Sequence, residues 1–380
     1  MSQPKVLYCV NAGWFFLSHR LAIARAASAQ GYEVHVACGI EGPSEATDIE
    51  AEGFACHRLP AMRGRVGMLI DILSFALLFK LIATLRPAIV HSVTAKPIIM
   101  AGISARLLMI PGRVAALTGL GYLFTDSKKH RLLTRAVAFA MGLGIRGRRS
   151  RLILQNNDDA SLLVRLRTVN RRQITIIPGS GVDFGKFSAA STPDWPPLVI
   201  LPARMLYEKG VLEFCEAAKL VRRENCLCQF VLVGGADPRN PSAIKESELE
   251  RICAECGVEN WGLQTDMPRV FAKSTVVCLP SYREGLPKVL IEAAAARRVI
   301  VTTDVPGCRD IVDRGNAGFI VPPRDASALA NAIRTAIEDE PRRRLLIDKA
   351  YNRAKSLYEE QSIVGQTLKI YHDFIAIRGN

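Results

Sequence analysis

The feature that most restricts the fold is a rhythm that runs twice along the chain. Short apolar, β-branched runs (KVLYCVN, YEVHVAC, AIVHSV, RVAALTG, RLILQN and ITIIPG) alternate with segments of helical periodicity such as HRLAIARAASAQG, where Gly31 is a natural stop. Strands that are apolar along their whole length need cover on both faces, so the alternation predicts a parallel sheet wound with helices on each side. The rhythm halts at PGSGVDFGKFSAASTPDWPP, where Gly, Ser and Pro crowd into a stretch that neither a helix nor a central strand tolerates. It restarts with LVILPAR, QFVLVGG, STVVCLPS, RVIVTTD and GFIVPP, interleaved with LEFCEAAKLVRRE, SELERICAECG, LPKVLIEAAAA and ALANAIRTAIEDE.

The predicted fold class is α/β, with two Rossmann-like, doubly wound parallel-sheet domains: residues 1–185, a linker at 186–197, and residues 198–358. Residues 359–380 read as a C-terminal helix that packs back on the first domain. Open sheets of this kind bind ligands beyond the carboxyl ends of their strands, which places the expected site in a crevice that the two domains face. At 380 residues with 49% apolar and 23% charged side chains, the chain is too long for one core and too apolar for disorder. No short-period repeat is visible, which removes solenoids and propellers. The first strand leads into CVNAGWFF and lacks Gly-x-Gly-x-x-Gly, which removes a nicotinamide dehydrogenase.

Charge is unevenly distributed. Residues 1–190 hold 24 Lys and Arg against 11 Asp and Glu, whereas the remainder holds 26 against 25. Between Lys128 and Arg172, 12 cations, Arg146, Arg148, Arg149 and Arg151 among them, face only Asp158 and Asp159. Such a face seeks phosphate on nucleic acid, anionic lipid or a polyanionic substrate. The run Val66–Leu85 has the length of a membrane span but is interrupted by Asp71 and Lys80 and flanked by Arg63, Arg65 and Arg86. The expectation is a long helix buried in the core; the alternative is one whose apolar face is shared between core and membrane surface. The N-terminus MSQPKVLYCV enters a strand directly, so the 10 cysteines are expected to be reduced, in the cytosol. Cys226, Cys228, Cys253 and Cys256 can be drawn as a four-thiolate zinc site, but the first two lead into the strand QFVLVGG, and no metal site is assigned.

Candidate chemistry gathers at the ends of strands. Strand LVILPA runs into Arg204, and Lys209 precedes Gly210, where a helix begins. Two cations at a strand end and a helix N-terminus suit a diphosphate. Strand STVVCLPS runs into YREGLPKVLIEAAA, where Gly285 permits a turn and Pro287 suits the first turn of a helix, directing the amides near Gly285 and Leu286 outward. Glu284 precedes that helix and Glu292 lies within it, and ionised carboxylates accept hydrogen bonds from vicinal diols. Gly13, after the first strand, is placed where backbone must approach a diphosphate. His19 sits at a helix start, and His91 ends strand AIVH at the crevice.

The phrase SYREGLPKVLIEAAA resembles the signature of the retaining nucleotide-sugar glycosyltransferases of the GT-B fold, glycosyltransferase family four. The likeness extends through ARMLYEKG, VLVGG, VTTDVPGCRDIV and GFIVPP, and through NAGWFFLSHRLAIARAA, IVHSVTAKP, VAALTGLGYLFT and IIPGSGVD, and so covers nearly the whole chain. The N-terminal phrases are similar to those of bacterial transferases that extend lipid-linked oligosaccharides.

The resemblance implies a UDP-sugar donor, a polyprenyl-diphosphate-linked sugar as acceptor, peripheral contact with an anionic membrane, no cofactor and no metal requirement. It implies that Arg204 and Lys209 hold the donor diphosphate, that Glu292 takes the ribose hydroxyls, and that Glu284 and the amides of Gly285, Leu286 and Pro287 take the transferred sugar. Gly13 and Gly234 fall in the donor-binding set, and His19, His91, Thr118 and Gly119 in the acceptor-binding set. Many relatives carry a histidine after the fifth strand, where this chain has Thr118, Gly119, Leu120 and Gly121, so that role has no counterpart. A UDP-sugar 2-epimerase on a similar fold remains an alternative, separated by its lack of an acceptor. A nucleic-acid-binding protein is disfavoured by the absence of a zinc finger, basic zipper or RNP phrase.

Overall fold

The computed structural model describes residues 3–42, 44–60, 67–119, 131–187, 195–238 and 240–379. The chain divides into two compact units, Met1–Ser180 with Gln361–Asn380, and Gly181–Glu360. The first unit runs β1 (Lys5–Val10), α1 (Gly13–His19), α2 (Leu21–Ala29), β2 (Glu33–Gly39), α3 (Glu45–Ala51), β3 (Ala55–Leu59), α4 (Met68–Leu85), β4 (Ile89–Val93), α5 (Ala95–Leu107), β5 (Gly112–Leu117), α6 (Arg131–Ile145), β6 (Ser150–Leu154), α7 (Asn157–Arg165) and β7 (Ile174–Ile176). Its sheet has the order β3-β2-β1-β4-β5-β6-β7, with every pair parallel.

The second unit runs β8 (Leu198–Pro202), α8 (Val211–Arg223), β9 (Gln229–Val233), α9 (Glu246–Cys256), β10 (Glu259–Asn260), α10 (Met267–Lys273), β11 (Val276–Leu279), α11 (Lys288–Ala295), β12 (Val299–Thr303), α12 (Cys308–Ile311), β13 (Phe319–Val321), α13 (Ala326–Glu338) and α14 (Glu340–Tyr358). Its sheet, β10-β9-β8-β11-β12-β13, is also parallel throughout. Both orders reverse direction beside the first strand, the arrangement that opens a ligand crevice at the carboxyl ends. Local chemistry agrees with the helix limits. Asn156 and Asp325 accept the third helical N–H of α7 and α13, and α9 stops at Gly257, whose φ is 60°.

Two strands escape the apolar pattern. β3, ACHRL, is an edge strand with exposed or half-buried residues along most of its length, and β10 is two exposed residues. The expected boundary after residue 185 moves to Gly181, because Val182, Phe184 and Phe187 pack into the core of the second unit. The helix α15 (Glu360–Gly379) brings Ile363, Leu368, Ile370, Tyr371 and Phe374 into the core of the first unit.

Beneath that helix lies a buried polar chain. His91 sits mid-strand in β4, paired with Tyr8 of β1, and its Nδ1 lies 2.5 Å from the hydroxyl of Tyr371, which donates to the Tyr8 hydroxyl at 3.1 Å. Burial, then the nearby Arg20 cation, pushes the His91 pKa well down, and burial, opposed by Tyr371 and Tyr8, brings Arg20 down to about 10. His91 therefore neither ends its strand nor reaches the surface: it is a neutral, fully buried core group.

α4 overturns the expectation of a buried helix. Only Ser74, Leu78 and Ile82, one residue per turn, are buried, and the remaining apolar side chains lie outward or at the edge. The arginine-rich segment is also placed by topology. Arg146, Arg148 and Arg149 follow α6 and precede β6, so they stand at the amino ends of the strands, with Arg146 and Arg149 offering carbonyls to Arg113 of β5. Lys128 and Lys129, like Arg63, Arg65, Leu120 and Gly121, lie outside the described residues.

Candidate active site

The carboxyl-end rim of the second sheet is built from ion pairs. Arg204, two residues beyond β8, donates from Nη1 to Oδ2 of buried Asp237 at 2.5 Å; Asp237 follows β9, the neighbouring strand. The close passage of these two strand ends explains Gly234. Its φ is 152°, and a Cβ there would overlap the Ala203 carbonyl oxygen. Lys209 closes a 3₁₀ turn before α8 and points its ammonium at Oε1 of Glu284, 2.5 Å away. These side chains are 18% and 11% exposed, and they join segments 75 residues apart.

Glu284 is held from several directions. Ser281 donates its hydroxyl to the same Oε1 at 2.7 Å, and the Thr303 hydroxyl donates to the Ser281 carbonyl at 2.5 Å. The flanking Tyr282 donates its N–H to the Glu208 carbonyl at 2.9 Å and its hydroxyl to Glu213 Oε1 at 2.7 Å, while the Arg324 guanidinium lies 4.5 Å from its ring centre. Burial and the bond to Glu213 push the Tyr282 phenol up, which keeps it a donor. Gly285 and buried Leu286 then lead to Pro287, the N-cap of α11. The backbone of Gly307 packs directly on the Gly285 carbonyl.

Glu292 lies in the second turn of α11, 3.6 Å from Lys288 Nζ. Burial raises its pKa, and Lys288 opposes the rise. A preformed carboxylate beside one cation accepts hydroxyl hydrogen bonds without first being stripped of water. The rim thus combines three cations, Arg204, Lys209 and Lys288, with three carboxylates, Asp237, Glu284 and Glu292, and a helix start, a set fitted to a pyrophosphate flanked by polyhydroxylated groups.

The first sheet has a different rim. Asn11 follows β1, Thr94 follows β4, Thr118 and Gly119 follow β5, and Gln155 follows β6. Asn11 Oδ1 and Gln155 Oε1 are buried acceptors without a partner among the described residues. Thr94 has φ 72° and ψ 161°, a region that residues other than glycine avoid at a cost of about 1–3 kcal/mol, and its N–H donates to the Ala116 carbonyl at 3.0 Å. Gly119 has φ 132°, as a tight exit from β5 requires.

Three expected residues of this unit sit differently. Gly13 does open α1 at the rim, but a Cβ there would come 2.6 Å from Oε2 of Glu45, so its smallness is accounted for by that carboxylate. Glu45 in turn accepts the N–H groups of Glu41 and Gly42. His19 is the last residue of α1, not its start, and stacks on Phe15 at 4.4 Å, one helix length from the rim. His91 is buried in the sheet as described above. Sequence reasoning missed Asp237, Ser281 and Thr303 around the rim of the second sheet and Asn11, Thr94 and Gln155 around that of the first. Their signal is position: each follows or ends an apolar strand.

Comparison with known proteins also divides the chain into an N-terminal and a C-terminal part. Residues 5–157 match the family described as glycosyl transferase 4-like, and residues 196–339 match glycosyl transferases group 1. The chain is 27% identical over 324 residues to the N,N'-diacetylbacillosaminyl-diphospho-undecaprenol alpha-1,3-N-acetylgalactosaminyltransferase of Campylobacter jejuni, covering 81% of this chain and 83% of that protein. It is 24% identical to the UDP-Gal:alpha-D-GlcNAc-diphosphoundecaprenol alpha-1,3-galactosyltransferase of Escherichia coli, covering 81% of each. Among solved structures, Anabaena HepE in complex with UDP and glucose superimposes with a TM-score of 0.77 at 18% identity, over 97% of this chain and all 100% of that one. That likeness identifies the fold as GT-B.

Proposed function

Because the chain belongs to the glycosyltransferases with a 4-like N-terminal domain and a group 1 C-terminal domain, we propose that it moves a hexose or N-acetylhexosamine from a UDP-sugar to a polyprenyl-diphosphate-linked saccharide, with retention at the anomeric carbon, in the assembly of a bacterial surface glycan or glycoprotein. The observation that carries the reading is the Lys209–Glu284 pair beside the start of α11. Lys209 and Arg204 take the donor pyrophosphate, exchanging their carboxylate partners for phosphate oxygens. Glu292 accepts the ribose hydroxyls, and Glu284 orients the transferred sugar.

The bond from the anomeric carbon to the β-phosphate oxygen breaks as the acceptor oxygen bonds the same face of that carbon. The acceptor proton passes to the departing phosphate oxygen. Negative charge grows on the diphosphate during this step, so cations and helix amides fixed around it stabilise the transition state more than the ground state. This step requires neither a metal nor a covalent Glu284 adduct. The acceptor's lipid anchor brings the enzyme to the cytoplasmic leaflet of the cell membrane.

The test is a panel of UDP-, GDP- and ADP-sugars incubated with a polyprenyl-diphosphate-linked sugar. Transfer from a UDP-sugar with an α-linked product, and loss of transfer in Glu284→Gln, are expected. Conversion of a UDP-N-acetylhexosamine to its epimer without acceptor, or a trapped glycosyl-Glu284, would overturn the reading.

A further inference from the structure

Resting on that reading, we infer that the chain docks on the lipid leaflet through the outward faces of α4 and α6, and not through the arginine cluster at the amino ends of the strands. α4 and α6 flank α5 on one face of the first sheet. On α4, Met68 is 77% and Leu69 79% exposed, and Ile72 and Leu73 also lie outward. On α6, Leu132 is 82% exposed and Phe139 follows it two turns later on the same stripe, while Thr134, Ala138 and Met141 face inward. Two helices that pack on the sheet by one stripe and offer a second apolar stripe to solvent lack an aqueous reason for the second.

Topology decides how this surface meets a bilayer. α4 is about 27 Å long, and both its ends are tied into one sheet, with β3 ending at Leu59 and β4 starting at Ile89. Leu78 and Ile82 fix it to the core beneath. It therefore lies on a membrane and does not cross one, despite a mean hydropathy of 2.1. Its exposed first half follows β3 and the exposed start of α6 follows β5, so both stand at the carboxyl ends of the strands, on the side of the first sheet's rim.

Charge selects the occupant. Among the described side chains, α4, α5 and α6 carry Lys80, Lys96, Arg106 and Arg135 against a single acid, Asp71, whose carboxylate is engaged by Lys96 at 2.6 Å. The exposed cations Lys80 and Arg135, carried on the same two helices as the apolar stripes, match anionic headgroups over acyl chains, whereas two copies of this face would repel.

The experiment is flotation with vesicles of phosphatidylethanolamine and phosphatidylglycerol. The combined variant Leu69→Gln, Leu73→Gln and Leu132→Gln, all at exposed positions, is expected to lose binding by about tenfold. Arg148→Glu with Arg149→Glu is expected to change it by less than about twofold. Binding of the glutamine variant at the wild-type level, failure of the wild type to float, or a wild-type dimer that the glutamines dissociate would overturn the inference, the last in favour of a second copy. Transfer to a short-chain prenyl-diphosphate acceptor without vesicles separates the two ideas. A glutamine variant that keeps wild-type transfer there but fails to float supports the surface. Flotation by a wild type that transfers nothing sinks the enzymatic reading and leaves the surface standing.

Discussion

The two sheets share a winding and differ at their carboxyl rims. The second presents charges already paired with each other, Arg204 with Asp237, Lys209 with Glu284 and Lys288 with Glu292. The first presents amides, hydroxyls and bent backbone at Asn11, Thr94, Thr118 and Gln155. A pyrophosphate needs fixed opposite charge, and paired side chains hold their geometry until it arrives. A neutral saccharide hydroxyl needs donors and acceptors of ordinary strength, and a charge beside it would have to be desolvated for little return. On that chemistry the proposed donor suits the rim of the second sheet and the proposed acceptor that of the first.

The strongest way to break that contrast is to remove the Lys209–Glu284 pair. Lys209→Ala and Glu284→Gln should each lower kcat/KM by about a hundred- to a thousandfold; steady-state kinetics showing a change in acceptor KM alone would dissolve the assignment. Next in size, His91→Ala should cost about 2–3 kcal/mol in chemical denaturation by emptying the site under Tyr371, with acceptor and donor KM unmoved. A rise in acceptor KM would return His91 to the binding set.

Glu292→Ala should raise donor KM by about tenfold with little change in kcat. Because burial raises the pKa of Glu292, its carboxylate is lost at a higher pH than an ordinary one, so donor KM should climb as pH falls through that raised value. Glu292→Gln should flatten the profile. The same shift has a stability consequence of opposite sense: the group favours folding fully below its unfolded pKa, and that contribution disappears as pH rises through the folded value. Gln155→Leu should be mildest, raising acceptor KM by about threefold and leaving donor KM alone.

The charged rim was legible in the sequence because an isolated Arg, Lys or Glu at the end of an apolar run stands out against its surroundings. The polar groups on the first sheet's rim were not, since Asn, Thr and Gln after a strand serve turns and caps as readily as ligands. The doubly wound fold was readable from its apolar strands, yet β3 and β10 were missed because short edge strands need no apolar run. The helix over Met68–Leu85 shows a deeper limit. Composition reports that side chains avoid water but not what covers them, and here only Ser74, Leu78 and Ile82 are fully buried. His19 and the arginine cluster teach a related lesson: a residue's distance from the rim follows from which end of its helix it occupies.

The return of α15 inverts the order in which the units can be completed. Tyr371 and Phe374 leave the ribosome after the whole of the second unit, yet they line the core of the first. The half translated earliest is thus finished last, and its nascent form carries a bare groove over Tyr8 and His91 while the younger half folds. Loss of the final turns would accordingly wound the N-terminal unit and spare the one to which they are joined in sequence.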